Sequence, residues 1–263
     1  MTSALCVILA GPEQAANVGF VARAMACYGL ADLRIVGSPG IASDGAARKT
    51  GKAVPEVLDG ARYFPSLQAA IADCGAVYGF TRRARDPSQR SGDLEEAARG
   101  WIGSRGNPAA SRPPLPPTAL VFGRESQGLL REETLLLTHL VRIPMPSETL
   151  SLNLSHAVAI GLYAFMGGTD SEAGGTARAE GERVAKRQSF MGEEPAGGSP
   201  TRAETARMLE TLMAALEAGG FFKAGKQEAQ KEYVRLLWQR LNPDRREFDF
   251  LAGLLRTLRS GIS

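Results

Sequence analysis

Residues 5–29 read LCVILAGPEQAANVGFVARAMACYG. Leu5 to Ala10 is a continuous apolar run broken by Gly11-Pro12, which predicts a buried strand followed by a turn. Asn17 to Cys27 then places apolar or small residues at helical spacing, and Gly29 is a good residue for closing a helix. A strand feeding directly into a helix is the unit of a parallel sheet. The pattern recurs along the chain. Further strands are predicted at Leu33-Arg34-Ile35-Val36, Ala76–Phe80, Ala119–Phe122 and Leu140–Ile143, with helical patterns between them at Ser66–Ala72 and Arg131–Leu137. The expected fold class is therefore α/β, a mostly parallel sheet with helices on both faces.

The 263 residues suffice for one good-sized domain and a small appendage. Residues 104–117 are proline-rich and predict a loop. Residues 167–200 shift to Gly, Ala, Glu and Ser, the composition of a flexible linker. Three helical patterns follow, at Arg202–Glu217, Lys226–Leu241 and Arg246–Arg259. The predicted division is a main domain at 1–166, a linker at 167–200 and a helical extension at 201–263. Hydrophobic residues make up 44% and charged residues 22%, as in ordinary globular proteins. A net charge of +3 permits a polyanionic partner without demanding one. Cys6, Cys27 and Cys74 are odd in number and form no CxxC pair, so a disulfide framework or zinc site is not expected. Three small buried hydrophobes in a reducing compartment are. The first residues lack the basic flank and apolar length of a secretory signal, and no run approaches a membrane span. A cytoplasmic protein is expected.

Three segments at predicted strand ends carry candidate chemistry, because ligands of open parallel sheets sit beyond the carboxyl ends of the strands. In the first, Asn17 stands where it can cap a helix. Gly19 and Arg23 are four apart, on one helical face, and the glycine leaves room beside the arginine for something close to the backbone. In the second, Phe122-Gly123-Arg124-Glu125-Ser126-Gln127-Gly128-Leu129, two glycines bracket opposite charges. Gly123 would let a ligand approach the backbone, and Glu125 could orient an arginine or accept a hydrogen bond from a ribose hydroxyl. Neither a Walker loop nor GxGxxG is present. In the third, Ile143-Pro144 leads to Ser151-Leu152-Asn153-Leu154, where Ser151 or Asn153 can cap the next helix. His139 and His156 are expected to be structural, hydrogen-bonded residues. With two histidines and no clustered carboxylates, no metal is expected. Arg48, Lys49 and Lys52, then Arg82, Arg83, Arg85 and Arg90, form basic clusters suited to phosphate.

In order and spacing these segments resemble the motifs of the SpoU branch of the SPOUT RNA methyltransferases, and within it the TrmJ-type tRNA 2′-O-methyltransferases. The likeness rests on Pro12, Asn17, Gly19, Ala22 and Arg23; on Val121 to Glu125 with Gly128-Leu129; and on Ile143-Pro144 with Ser151 to Leu154. Ala46–Lys52, Gly79–Arg85 and the tail through Leu236–Leu258 add to it. The resemblance implies a trefoil-knotted domain, a homodimer, and S-adenosyl-L-methionine bound largely by backbone groups at Thr81, Gly123, Ile143, Leu150, Ser151 and Leu152. It implies methylation of a ribose 2′-hydroxyl on tRNA, at a cytidine or uridine at position 32 of the anticodon loop. The catalytic set would be Arg23, Asn17, Glu125, Ser151 and Asn153, with RNA gripped by Arg48, Lys49, Lys52, Arg82, Arg83 and Arg85. Two departures stand out: Arg82-Arg83 after Thr81, and Leu150 before Ser151, where relatives carry smaller residues. The alternatives are an rRNA substrate, an inactive RNA-binding module on the same fold, and a Rossmann-type nucleotide enzyme, against which the missing glycine fingerprint argues.

Overall fold

The computed structural model describes residues 5–82, 91–104, 116–146, 151–166, 199–223, 225–241 and 243–260. The expected loop at 104–117 and linker at 167–200 therefore fall mostly outside the described residues, as do Arg83, Arg85, Arg90 and Leu150.

The sheet is built from β1 (Leu5–Ala10), β2 (Leu33–Val36), β3 (Arg62–Phe64), β4 (Ala76–Phe80), β5 (Ser91–Asp93), β6 (Thr118–Phe122) and β7 (His139–Arg142). Its order is β3-β2-β1-β6-β4-β7-β5 and every pairing is parallel. The helices are α1 (Ala15–Cys27), α2 (Gly45–Thr50), α3 (Pro55–Asp59), α4 (Leu67–Ala70), α5 (Leu94–Ser104), α6 (Arg131–Thr134) and α7 (Leu154–Phe165). The expected parallel α/β class holds. Residues 147–150, between β7 and α7, lie outside the described residues.

All six residues of β1 are buried because both faces of the sheet are covered. Leu5, Val7 and Leu9 join the core beneath α1 and α7, while Cys6, Ile8 and Ala10 join the core beneath α4. This two-sided burial is what makes the strand read as an unbroken apolar run rather than an alternating one. Register then does the work that matters for function. Leu9 pairs with Phe122, Phe122 with Phe80, and Phe80 with Val141. Four neighbouring parallel strands thus end level, and the loops after β1, β6, β4 and β7 emerge side by side.

Strand β2 carries a charged residue where an apolar one would be routine. Arg34 is 2% exposed, and every donor nitrogen is engaged. Nε and Nη2 donate to Asp32, Nη2 also donates to Asp73 at 2.9 Å, and Nη1 donates to the Ala70 carbonyl at 2.6 Å. Burial alone pushes the Asp32 and Asp73 carboxyls up. The hydrogen bonds and charge of Arg34, joined at Asp32 by Arg62, outweigh it and hold both below the usual carboxylate range. A depressed native pKa stabilises the fold above the unfolded-chain value of about 4, and that contribution is lost as pH falls through the native value. Denaturant titrations between neutral pH and pH ~3 are therefore expected to show stability falling with acid, and falling less in an Asp32→Asn, Asp73→Asn double variant.

Cys6 and Cys74 are buried free thiols 3.9 Å apart. Their mutual hydrogen bond and burial push the Cys74 thiol well above its ordinary range, so it stays protonated. Cys27 departs from the expected buried hydrophobe, because it closes α1 on the exposed side. Helix α6 is shorter than Arg131–Leu137, ending at Thr134 as the chain turns to bury Leu137 against Gly79.

The extension forms α8 (Arg202–Ala218), α9 (Gln227–Leu241) and α10 (Arg245–Ser260), within a residue or two of the expected bounds. It has its own small core of Met208, Trp238, Phe248 and Leu255. It docks where the amides of Arg202 and Ala203 donate to the carbonyls of Cys74 and Ala72, and where Arg131 pairs with Glu232. Among the described residues no helix is long and apolar enough to cross a membrane.

Candidate functional site

The loop after β6 is closed by its own backbone. Arg124 N donates to Gly128 O at 3.1 Å, and Gly128 N donates back to Arg124 O at 2.8 Å. Gly128 takes φ +70°, the left-handed region that suits glycine. A Cβ on Gly123 would lie 2.1 Å from the Gly128 carbonyl carbon. The Cβ side of Gly123 is thus filled by the chain's own backbone, while the glycine itself lines the cavity described below. At Gly19 the expected close approach to the backbone is made by the protein itself. A Cβ there would sit 2.1 Å from Thr50 Oγ1 and 2.3 Å from the Ala47 carbonyl oxygen, so the close approach beside Arg23 is that of α2.

The loops after β1 and β6 grip each other through two carboxylates. Glu125 accepts from the amides of Glu13 (2.9 Å) and Gln14 (3.2 Å), which α1 leaves without intrahelical partners. In return, Glu13 accepts from Ser126 N at 3.1 Å. Glu125 also accepts from Asn17 Nδ2 at 2.8 Å, and Asn17 Oδ1 accepts from Asn153 Nδ2 at 2.9 Å. Asn17 therefore does not cap α1. It lies inside the helix, 4% exposed, and links all three motif loops. The cap of α7 is Asn153 and not Ser151: its Oδ1 accepts from Ser155 N and Ser155 Oγ. Glu125→Gln puts an NH2 against one of three donors, and is expected to cost about 1–3 kcal/mol in denaturant unfolding.

Beside this chain of hydrogen bonds lies a cavity of about 190 Å³. Thr81, Gly123, Ile143, Ser151 and Leu152 all line it, five of the six residues expected to hold a donor. The sixth, Leu150, lies outside the described residues. The floor is apolar: Phe80 and Phe122 stack at 4.3 Å, with Val141, Leu154 and Ala157 around them.

Arg23 is not among the cavity's lining residues. It is exposed on α1, and among the described residues it makes no ion pair or side-chain hydrogen bond. Glu125 is occupied by loop amides and Asn17, so neither orients Arg23 within this chain. The expected RNA-binding set is scattered by the fold. Arg82 lines the cavity, Lys49 and Lys52 are exposed on or just beyond α2, and Arg48 pairs with Asp59 at 2.6 Å. His139 is structural as expected, stacked on Tyr78 with Nδ1 2.9 Å from Thr138 Oγ1. His156 is exposed and, among the described residues, has no hydrogen bond. Sequence reasoning missed Glu13, Ser126 and Glu133. Each looks locally like a solvated polar residue, and its partner is remote or hidden by the turn.

A family model described as SpoU rRNA Methylase family matches residues 4–163. The tRNA (cytidine-2′-O-)-methyltransferase TrmJ of Methanocaldococcus jannaschii is 34% identical over 162 residues, spanning 60% of this chain and 66% of that protein. The tRNA (cytidine/uridine-2′-O-)-methyltransferase TrmJ of Pectobacterium atrosepticum is 28% identical over 252 residues, 96% of this chain and 95% of its own length. Among solved structures, TrmJ from Z. mobilis superposes with a TM-score of 0.71 at 27% identity, covering 97% of this chain and 98% of its own.

Proposed function

The chain belongs to the SpoU methylase family, and we propose that it methylates a ribose 2′-hydroxyl of tRNA with S-adenosyl-L-methionine as donor. The observation that carries this reading is the convergence of three motif loops, tied by Glu125–Asn17–Asn153, on one cavity at level strand ends. The cavity suits the donor chemically. A stacked aromatic floor and aliphatic walls accept a purine, and strand-end loops offer backbone groups to its edges. Thr81, Gly123, Ile143, Leu150, Ser151 and Leu152 would hold it. When bound, the donor supplies an electrophilic methyl group and leaves as S-adenosyl-L-homocysteine.

The chain's own work is to position the ribose, deal with its proton and exclude water. A guanidinium offers five N–H donors and no acceptor, so Arg23 is a poor base. Its fitting role is to clamp a neighbouring phosphate with paired hydrogen bonds and to stabilise charge developing on the 2′-oxygen. Ser151, which lines the cavity, or a phosphate oxygen of the RNA would carry the proton away. Asn17, Glu125 and Asn153 act as positioning residues that fix the loops against one another.

Since Arg23 lies away from this chain's own cavity, a homodimer completes the site. Arg23 shares a helical face with Phe20, which is 46% exposed, and α1 packs on α7, which exposes Tyr163 at 54%. These exposed aromatic side chains on two packed helices are the surface that a partner subunit would cover in this reading. Phe20→Asp with Tyr163→Asp is expected to shift the protein from dimer to monomer in sedimentation analysis, with methyl transfer lost in step. In this reading residues 1–166 are the methyltransferase domain and 201–263 an extension joined through 167–200. The protein works in the reducing cytoplasm, consistent with its free thiols. Lys49, Lys52, Arg48, Arg82, Arg83 and Arg85 would meet the RNA backbone, making affinity salt-dependent.

The tRNA reading, with a cytidine or uridine at position 32 as target, leans on the resemblance and on the TrmJ relatives' activities. Mapping ribose methylation in RNA from cells lacking the gene tests it. One missing 2′-O-methyl pyrimidine in the anticodon loop is the expected result. A site lost from rRNA alone would reassign the substrate, and no lost site would refute the activity.

A further inference from the structure

Arg124 is held in a way that leaves half of its guanidinium unused. Nη1 donates to both oxygens of Glu133 at 3.0 Å, and Glu133, 7% exposed, also accepts from Leu130 N at 2.8 Å. That pairing fixes the arginine at the cavity wall. Nε and Nη2 have no hydrogen-bond partner among the described residues, although the side chain is only 23% exposed. The contrast with Arg34 is direct, since there every donor nitrogen is matched inside the protein. A Cβ on Gly11 would lie 2.8, 3.0 and 3.1 Å from Nε, Cζ and Nη2 of Arg124. Those near-equal distances place the flat face of the guanidinium over Gly11, not its edge. The Nε–Nη2 edge, the pair of parallel donors that matches an oxyanion, therefore has no hydrogen-bond acceptor in its plane among the described residues.

We infer that this edge of Arg124 is a binding site for a substrate oxyanion, with Glu133 as the residue that positions it. The inference rests on the donor and RNA reading above. Two groups of that reaction carry the matching chemistry: the α-carboxylate of the donor and a phosphodiester of the RNA. Either would complete the donor set that Glu133 leaves open.

The full-length protein is titrated with S-adenosyl-L-homocysteine, which has the carboxylate, and with 5′-methylthioadenosine, which lacks it. tRNA binding is then read on protein saturated with S-adenosyl-L-homocysteine. Arg124→Gln is expected to weaken one partner by about tenfold or more. Loss for S-adenosyl-L-homocysteine with 5′-methylthioadenosine unchanged identifies the carboxylate. Loss for tRNA alone, with a salt slope smaller by about 1, identifies the phosphate. Arg124→Lys keeps the charge but not the two-donor edge, and serves as the second variant if the first does not fold. It is expected to show the same selective loss. Unchanged binding of all three partners overturns the inference, as does equal loss for the two nucleosides. Failure of the unsubstituted protein to bind either nucleoside would strike the functional reading instead.

Discussion

Arg23→Ala is expected to bind donor and tRNA and yet to lose turnover by about 10²–10³-fold, or about 2.7–4 kcal/mol of transition-state stabilisation. The side chain is exposed and makes no ion pair or side-chain hydrogen bond among the described residues, so its removal leaves packing intact. On the proposed reading, what goes is a positive charge beside an oxygen that becomes negative as the bond forms. Single-turnover kinetics with separately measured binding would check it: unchanged binding with slow chemistry is the expected split. The same variant tests where the residue acts. If Arg23 serves the other subunit's cavity, mixing Arg23→Ala with a variant broken only in its cavity restores one intact site in each mixed dimer. Random exchange then returns roughly a quarter of wild-type activity. No recovery on mixing would place Arg23 in its own subunit's site or outside the chemistry.

Gly123→Ala has the other large expected effect, and it acts through the backbone. The added methyl would meet the Gly128 carbonyl carbon at 2.1 Å and Leu129 N at 2.3 Å. Both are main-chain atoms that cannot turn aside, unlike the tip of a flexible side chain. The mutual hydrogen bonds between Arg124 and Gly128 must open, and with them the seat of Glu125. An overpacked site of this kind costs about 3 kcal/mol in stability. Displacing a cavity wall by about 1 Å is worth about a hundredfold in activity. Titration with S-adenosyl-L-homocysteine and denaturant unfolding should both register the change. A Gly123→Ala protein of normal stability and donor affinity would mean that the loop does not define the cavity.

Much of this architecture was legible in the chain. Strands buried on both sides leave continuous apolar runs, so β1, β2 and β4 match their expected bounds residue for residue, and β6 and β7 shift by one. The strands at Arg62–Phe64 and Ser91–Asp93 were not foreseen, because three residues at each edge of the sheet leave no run to read. Within the site, residue types and order pointed to the loops that converge, but not to the way they are fastened. The clasp of Glu13 on Ser126 and of Glu125 on Glu13 joins residues more than a hundred positions apart. Nothing local separates such carboxylates from solvated ones. The space beside Gly19 and on the Cβ side of Gly123 is filled by neighbouring backbone, at Ala47 and at Gly128, while Gly123 still lines the cavity. Tight loop closure and ligand approach demand the same residue, so sequence alone could not divide them. Arg23 shows a further limit. Its place in the first motif is legible in the chain, whereas its position outside the cavity depends on which way α1 faces.

The most direct test of the account is transfer of a labelled methyl from S-adenosyl-L-methionine to unmodified tRNA by the purified protein, with the product nucleoside identified by mass spectrometry. The account predicts one 2′-O-methylated pyrimidine per tRNA, formed without added metal. A methyl found on a base, or no transfer by protein that demonstrably holds both donor and tRNA, would contradict it.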